Sequence, residues 1–587
     1  MRKFAKEVGR MKYLKSALAI VLCLATLLGI GVVSVFSAET KLAETGADTG
    51  ITIHYYHEGG TPYIYYWNAL PQNLETAYPG VKMTADSASG ANWYKYEFKS
   101  STKINLMFTD GTNTLEGQLS KELTRNSGNW YYKDGKWKSS LTVGPVTGEL
   151  TDMREDSIYF VITTRFYDGD KGNNVHCWDD AKAGNPDSDP AWRGDFKGLA
   201  EKLDYIKALG FSAIWITPVV ENASGYDYHG YHAMDFSTVD PRYESSNFTF
   251  QDLIDAAHSK GIKIIQDVVW NHTGNFGEAF LAPMFEKEYS SLKDLESADC
   301  MKLISGSKLQ QIYPNYAGLD PEAQFQARLA VMKEDVNDTN HYYHHDKDLS
   351  WESPTVQTGQ IAGDCVDVNT ENKVVAEYLV DVYTDYINMG VDAFRLDTEK
   401  HVSRLTLNEY YFPQIFKNAP ENFFIFGEVC TRVSEFWNHG IPAISAPFYT
   451  WAETNSKYKN CFTSDSLANK ALTLSHYDDH DTTDGAPTSN NVFLNGITYH
   501  TPDYSKSNGT GVIDFPMHWA FNNIGDAFNT CLSFDDDFND ATWNVTYVDS
   551  HDYAPDCAPE NQRFAGYWPD KLNLMFTFRG IPCIYYG

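Results

Sequence analysis

Arg395 and Asp397 lie two residues apart in the stretch from Gly390 to His401, which reads GVDAFRLDTEKH. Val391, Ala393 and Phe394 surround the pair with the apolar pattern of a buried β-strand. Side chains on a strand repeat every two residues, so the guanidinium and the carboxylate point to the same side. A cation this close keeps the carboxylate ionised and lowers its pKa. An ionised, aimed aspartate is what a covalent nucleophile requires. Lys400 and His401 follow where the strand gives way to a loop. Glu428 ends another apolar run, FFIFGEV. Its approach through Phe424, Phe426 and Gly427 is the less polar setting that raises a carboxyl pKa and suits a general acid. An Arg-x-Asp pair alone is most often a structural ion pair, so the weight falls on the joint set of acids rather than on one of them.

The elements that must position these groups are legible as eight apolar runs of strand length. They are SIYFVITT, FSAIWITPV, IKIIQDVVW, VDAFRLD, FFIFGEV, GVIDFPM, WNVTYVDS and IPCIYYG. Helix-like segments alternate with them, among them 196–209, 250–260 and 372–389. Eight strand–helix alternations argue for an α/β fold, a (β/α)8 barrel of parallel strands. Catalytic groups in such barrels sit at the C-terminal ends of the strands, which is where the polar motifs lie. About a hundred residues separate Asn271 from Asn372, far beyond an ordinary loop. A second long connection, from Cys430 to Thr510, is polar and predicts an elaborated loop or short helices.

The run GVDAFRLDTEKH closely resembles the fourth-strand signature of the α-amylase superfamily, glycoside hydrolase family thirteen, and further segments follow in the family's order. The resemblance implies that Asp397 is the nucleophile and Glu428 the acid/base of a retaining glycosidase, a reaction that needs two carboxyls about 5–5.5 Å apart. Asp552 in YVDSHD matches the third acid, which binds hydroxyls of the distorted sugar, with His551 beside it. Many members have Asn where this chain has Ser550. Asp267, Asn271 and His272 in DVVWNH match the third-strand signature, in which Asp267 holds Arg395 and His272 meets the sugar in the −1 subsite. In YDYHGYH, His229 matches a sugar ligand and Tyr231 a stacking platform; the family's usual Trp is replaced by His232. Lys400 and His401 match residues on the leaving-group side. Two Ca²⁺ sites are implied. One is the loop of Asp168, Asp170, Asn173 and Asn174 with Asp195, whose crowded hard oxygens suit that ion. The other joins Asn271, Asp367 and the carbonyl of His401.

Residues 51–141 read differently, as short aromatic-rich strands of a small β-sandwich. They resemble starch-binding modules of carbohydrate-binding family twenty-six. Tyr56 and Trp67 fall on that family's paired aromatics, and their spacing predicts adjacent strands of one hairpin with both rings on one face. Tyr65, Trp93 and Trp130 are weaker candidates. The expected order is therefore a signal peptide at 1–38, a linker at 39–50, the module at 51–141 and a linker at 142–155. A catalytic barrel at 156–587 would follow, with an inserted domain B at 273–371. Six basic residues before the uncharged run 16–38 carry the reading of an export leader, with an uncleaved anchor as the alternative. The chain stops at Gly587 directly after the eighth strand, where the family continues with a last helix and a C-terminal β-domain, so either a fragment or a chain without those parts is expected.

A net charge of −31 disfavours a nucleic-acid partner, since phosphate would be repelled. Nine scattered cysteines show no metal-like spacing and name no disulfide pairs. The expectation is a secreted, monomeric α-amylase acting on starch and related glucans, with no membrane partner beyond its leader; attachment at the cell surface is the alternative location. Alternative activities are a maltogenic, neopullulanase-like or transglycosylating relative of the cyclodextrin glucanotransferase type, or a non-catalytic starch-binding component.

Overall fold

A computed structural model describes residues 50–101, 103–115, 123–126, 128–133, 136–138, 152–175, 177–179, 193–223, 229–333, 340–345, 349–351, 353–431, 444–482, 504–521, 523–534, 537–552 and 568–586. The expected leader lies outside them. No helix among the described residues is long and apolar enough to cross a membrane.

Eight strands form the barrel: β1 (Ile158–Val161), β2 (Ala213–Ile216), β3 (Lys263–Val269), β4 (Ala393–Asp397), β5 (Phe424–Gly427), β6 (Gly511–Val512), β7 (Val545–Thr546) and β8 (Ile581–Tyr585). Each falls within one of the eight apolar runs. They pair in parallel in the order β6-β5-β4-β3-β2-β1-β8-β7. A single parallel bridge between Ile513 and Val545 brings β6 against β7, with the Asp514 N–H donating to the Val545 carbonyl at 2.9 Å.

The strands are buried on both faces, as parallel strands wrapped by helices must be. Ile158, Phe160, Ala213, Trp215, Ile265, Ala393, Phe424 and Phe426 fill the interior. Their neighbours Tyr159, Val161, Ile214, Ile264, Phe394 and Ile425 pack outward against the helices. The period of two therefore carries Arg395 and Asp397 to the inner side with Ala393.

The helix Phe250–Ser259 starts at a capping box between Thr249 and Asp252. The helix Lys373–Met389 starts at Asn372, whose side chain accepts from the Val374 N–H, and stops at Gly390 with φ 109°. That left-handed residue turns the chain into β4, and only glycine adopts it without strain. The expected helix 196–209 is two helices, Phe196–Glu201 and Leu203–Ala208, divided at Lys202.

Between β3 and β4 the chain leaves the barrel and returns through a short antiparallel pair, His272–Thr273 with Val366–Asp367. This pair ties the base of the long insertion to the barrel rim. The connection after β5 contains a 17-residue helix, Ser466–Thr482, longer than the sequence predicts.

The N-terminal module is a sandwich of a five-stranded and a four-stranded sheet around Ile51, Ile53, Tyr55, Ile64, Tyr66, Ile104, Leu106 and Phe108. One expectation fails here. Tyr56 lies on Ile51–Tyr56, which pairs with Trp93–Phe98 and Gly128–Lys133, whereas Trp67 lies on Tyr63–Leu70, which pairs with Val81–Lys82 and Lys103–Thr109. The two aromatics belong to different sheets, because the intervening turn crosses the sandwich instead of closing a hairpin. Trp93, at 8% exposure, is a core residue.

Candidate active site

Arg395 is the centre of the barrel mouth and is 1% exposed. Its Nη1 donates to both oxygens of Asp267 at 3.0 Å and to Asp397 Oδ1 at 2.5 Å. Its Nη2 donates to Glu428 Oε2 at 2.7 Å. One planar guanidinium thus reaches both carboxyls, which caps the separation of their bound oxygens at about 8 Å, a limit that admits the spacing of two-carboxyl glycoside cleavage.

The backbone sets this geometry. Asp397 is the last residue of β4 and Glu428 directly follows β5, with the Glu428 N–H donating to the Leu396 carbonyl at 2.9 Å. Thr398 then adopts φ 50°, ψ 33°, a strained conformation for a β-branched residue. Its N–H faces Glu428 Oε2 at 3.4 Å. Glycine at 427 is required by crowding: a Cβ there would lie 1.6 Å from Glu399 Oε2.

Three carboxyls share one buried cation, so they cannot all stay ionised at low cost. Burial raises Asp397, but Arg395, His272 and His551 outweigh it and hold the carboxyl below its usual range. Burial pushes Glu428 up to about 8, against the pull of Arg395, and the charges of Asp397 and Asp552 add to the rise. The two carboxyls are thereby split into an anion and a proton holder, the division that acid and nucleophile roles demand. Asp267 accepts from Trp215 Nε1 at 3.0 Å and from the Tyr231 hydroxyl at 2.8 Å as well as from Arg395.

The remaining predicted residues gather around this centre. His551 stacks on Tyr231 with ring centroids 5.6 Å apart, and its Nε2 lies 3.1 Å from the Tyr231 hydroxyl. Asp552 sits 3.4 Å from His551 and is half exposed at the opening. Ser550 Oγ accepts from the Asp552 N–H, a turn contact at 3.3 Å. His272 Nε2 meets the Tyr231 carbonyl at 3.1 Å, and His229 Nδ1 accepts from the Tyr231 N–H at 3.1 Å. Lys400 is buried and donates to the Cys430 carbonyl at 3.1 Å. Burial and Lys400 push His401 down to about 3, so its ring is neutral; its Nδ1 lies 3.0 Å from the Val356 carbonyl.

Both implied calcium loops carry an orphaned buried carboxylate oxygen. In the first, Asp195 Oδ1 accepts from the N–H groups of Gly169 and Gly198, and Oδ2 from the Asp170 N–H and Asn173 Nδ2. Asn174 donates to Asp168 Oδ2 at 2.8 Å, while Asp168 Oδ1 is buried with no partner. In the second, the strand pair sets Asp367 beside His272, and the Val368 N–H donates to the Asn271 carbonyl at 2.8 Å. Asp367 Oδ1 is again unpartnered. Hard oxygens left over in this way fit a calcium ion at each place.

Some of the site was not foreseen. Trp215 holds Asp267 and lies under Arg395, 5.1 Å from its guanidinium carbon. It shares the lumen-facing parity of β2, so the period of two could have flagged it. Trp351, 52% exposed, meets the His401 ring at 5.5 Å and has Lys400 Nζ 5.6 Å from its own ring centre. His344 bridges Asp367 and Glu371 at 2.6 and 2.9 Å, and those acids raise it to about 9 although burial opposes this. Nothing in local spacing marks Trp351 or His344, since the chain brings them in from the insertion.

Residues 160–587 match the family model described as alpha amylase, catalytic domain. The chain belongs to the α-amylase family. Residues 53–120 match starch-binding module 26, so the α-amylase barrel and the module are both recognised. Among curated proteins, the chain is 24% identical to a beta/alpha-amylase of Paenibacillus polymyxa over 92% of its own length and 42% of the relative's. It is 27% identical to a cyclomaltodextrin glucanotransferase of Bacillus sp. (strain 6.6.3) over 74% of this chain and 48% of that one. It is 30% identical to an alpha-amylase of Streptomyces lividans over 45% and 29%. The chain spans less than half the length of these relatives.

Proposed function

We propose that this α-amylase-family chain is an exported enzyme that hydrolyses internal α-1,4-glucosidic bonds of starch and related glucans with retention of anomeric configuration. The observation that carries the reading is the single Arg395 guanidinium spanning an ionised Asp397 and a proton-holding Glu428. Glu428 gives its proton to the leaving glycosidic oxygen while Asp397 attacks the anomeric carbon and forms a glucosyl ester. Glu428, now a carboxylate, takes a proton from water, which attacks the same carbon and releases Asp397. Asp552, His551, His272 and His229 hold the sugar hydroxyls, with Tyr231 as the stacking surface, and Lys400 and His401 serve the leaving-group side. Asp168, Asp170, Asn173, Asn174 and Asp195 would hold one Ca²⁺. Asn271, Asp367 and the His401 carbonyl would hold a second. These ions would stiffen the cleft walls and take no part in bond breaking. Trp67 with its neighbour Tyr65 would bind glucan on one sheet of the module, Tyr56 would offer a separate contact on the other sheet, and the module would keep the barrel near its polymer.

The similarity to cyclomaltodextrin glucanotransferases favours one rival, in which a sugar hydroxyl rather than water takes the glucosyl group. Chromatography of starch digests separates them: mixed linear oligosaccharides support hydrolysis, whereas cyclic products overturn it in favour of transfer. Proton NMR of the first products tests retention, which requires the α-anomer to appear first.

A further inference from the structure

His232 stands where related chains usually carry tryptophan, and its Nε2 lies 3.3 Å from the Cys365 thiol. Asp364 Oδ1 lies 4.0 Å from the same sulfur. One ligand atom from each of these three side chains falls within 4.8 Å of the others. The residues come from two places, the loop after β2 and the last turn of the β3–β4 insertion. We propose that His232, Asp364 and Cys365 form a binding site for a soft divalent cation of the Zn²⁺ class, stapling the insertion to the barrel rim.

The donor set argues for this. A thiolate with an imidazole and a carboxylate selects zinc-like ions, whereas calcium takes hard oxygens only. With metal–sulfur and metal–nitrogen distances of about 2.3 and 2.0 Å, a tetrahedral site has a sulfur–nitrogen edge of about 3.5 Å. The observed 3.3 Å separation is already close to that edge. His232 and Cys365 are each 7% exposed, while Asp364 is partly exposed.

The frame is also built. The His232 N–H donates to Asn222 Oδ1 at 2.9 Å, and Asn222 is fully buried. Cys365 bridges back to Ala362 across a short turn and leads into the strand Val366–Asp367. His272 interacts with the same sulfur from the rim. Water completes the tetrahedral shell, since His272 is engaged by the Tyr231 carbonyl. Binding exchanges the thiol proton for the cation and involves no oxidation or reduction.

The test uses the full chain, stripped with chelator and returned to calcium, with Co²⁺ as an optical probe. One equivalent of Co²⁺ should produce a thiolate-to-cobalt charge-transfer band, and Zn²⁺ should abolish it by displacement. C365S should lose the band, and H232N and D364N should each weaken Zn²⁺ binding at least about tenfold. The absence of a band in the parent chain overturns the proposal, as does a band that survives in a folded C365S. Should C365S fail to fold, H232N and D364N decide: unchanged Zn²⁺ affinity in both overturns it. The readout is optical, so failure of the glucan-hydrolase reading leaves this result intact.

Discussion

The barrel mouth and the outer face of the module approach sugar in opposite ways. At the mouth, Arg395 is 1% exposed and is engaged by three acids. On the module, Tyr65 and Trp67 are half-buried rings 5.4 Å apart on one face of a strand, flanked by Tyr78 at 52% exposure. The first arrangement spends folding energy on desolvated charge so that two carboxyls differ in protonation. The second needs only flat rings that a sugar face can cover. Breaking bonds requires a low-dielectric pocket, and holding polymer does not.

The largest test of this contrast is D397N. Removing the nucleophile should lower turnover about 10⁴-fold or more, measured by reducing-sugar release, while pelleting with insoluble starch persists through the module. Next is R395L, which strands buried carboxylates and should cost about 3–5 kcal/mol of stability. Chemical denaturation should show that deficit shrinking as pH falls and the carboxyls take up protons.

A third test follows Glu428, lifted to about 8 from an ordinary 4.5. It binds its proton more tightly folded than unfolded. Its stabilising contribution is full below about 4.5 and is lost as pH rises through about 8. The alkaline limb of the rate profile should fall near the same upper value, and E428Q should flatten the stability change. The smallest effect is expected on the module, where W67A should weaken adsorption to starch granules about tenfold, roughly the worth of one stacked ring. An equal loss from W67A and D397N in adsorption would erase the distinction between the regions.

The acids and the strands carrying them were legible because parity and barrel topology do the positioning. Once Ala393 faces inward, Arg395 and Asp397 must follow. The hairpin expected for Tyr56 and Trp67 failed because turn length alone does not reveal which sheet the next strand joins. Trp351, His344 and Cys365 were illegible for a related reason. They reach the rim from an irregular insertion, where no period links sequence to direction. His232 was visible as a departure, and its partner 133 positions away was not.

The lone bridge at Ile513 and Val545 leaves the ring of strands with one thin seam. From β8 through β1 to β5 the neighbouring strands share three to five paired residues, so opening them breaks several hydrogen bonds together, whereas β5–β6 and β7–β8 share two. Between β6 and β7 the backbone contact is that bridge with the Asp514 N–H bond to Val545, helped by the Asn544 side chain on Asp514 at 3.3 Å and His518 Nδ1 at the Tyr547 carbonyl at 3.0 Å. Deuterium should therefore enter the backbone first along this line, and heat should unzip the cylinder there while the wall bearing Asp397 and Glu428 is still closed.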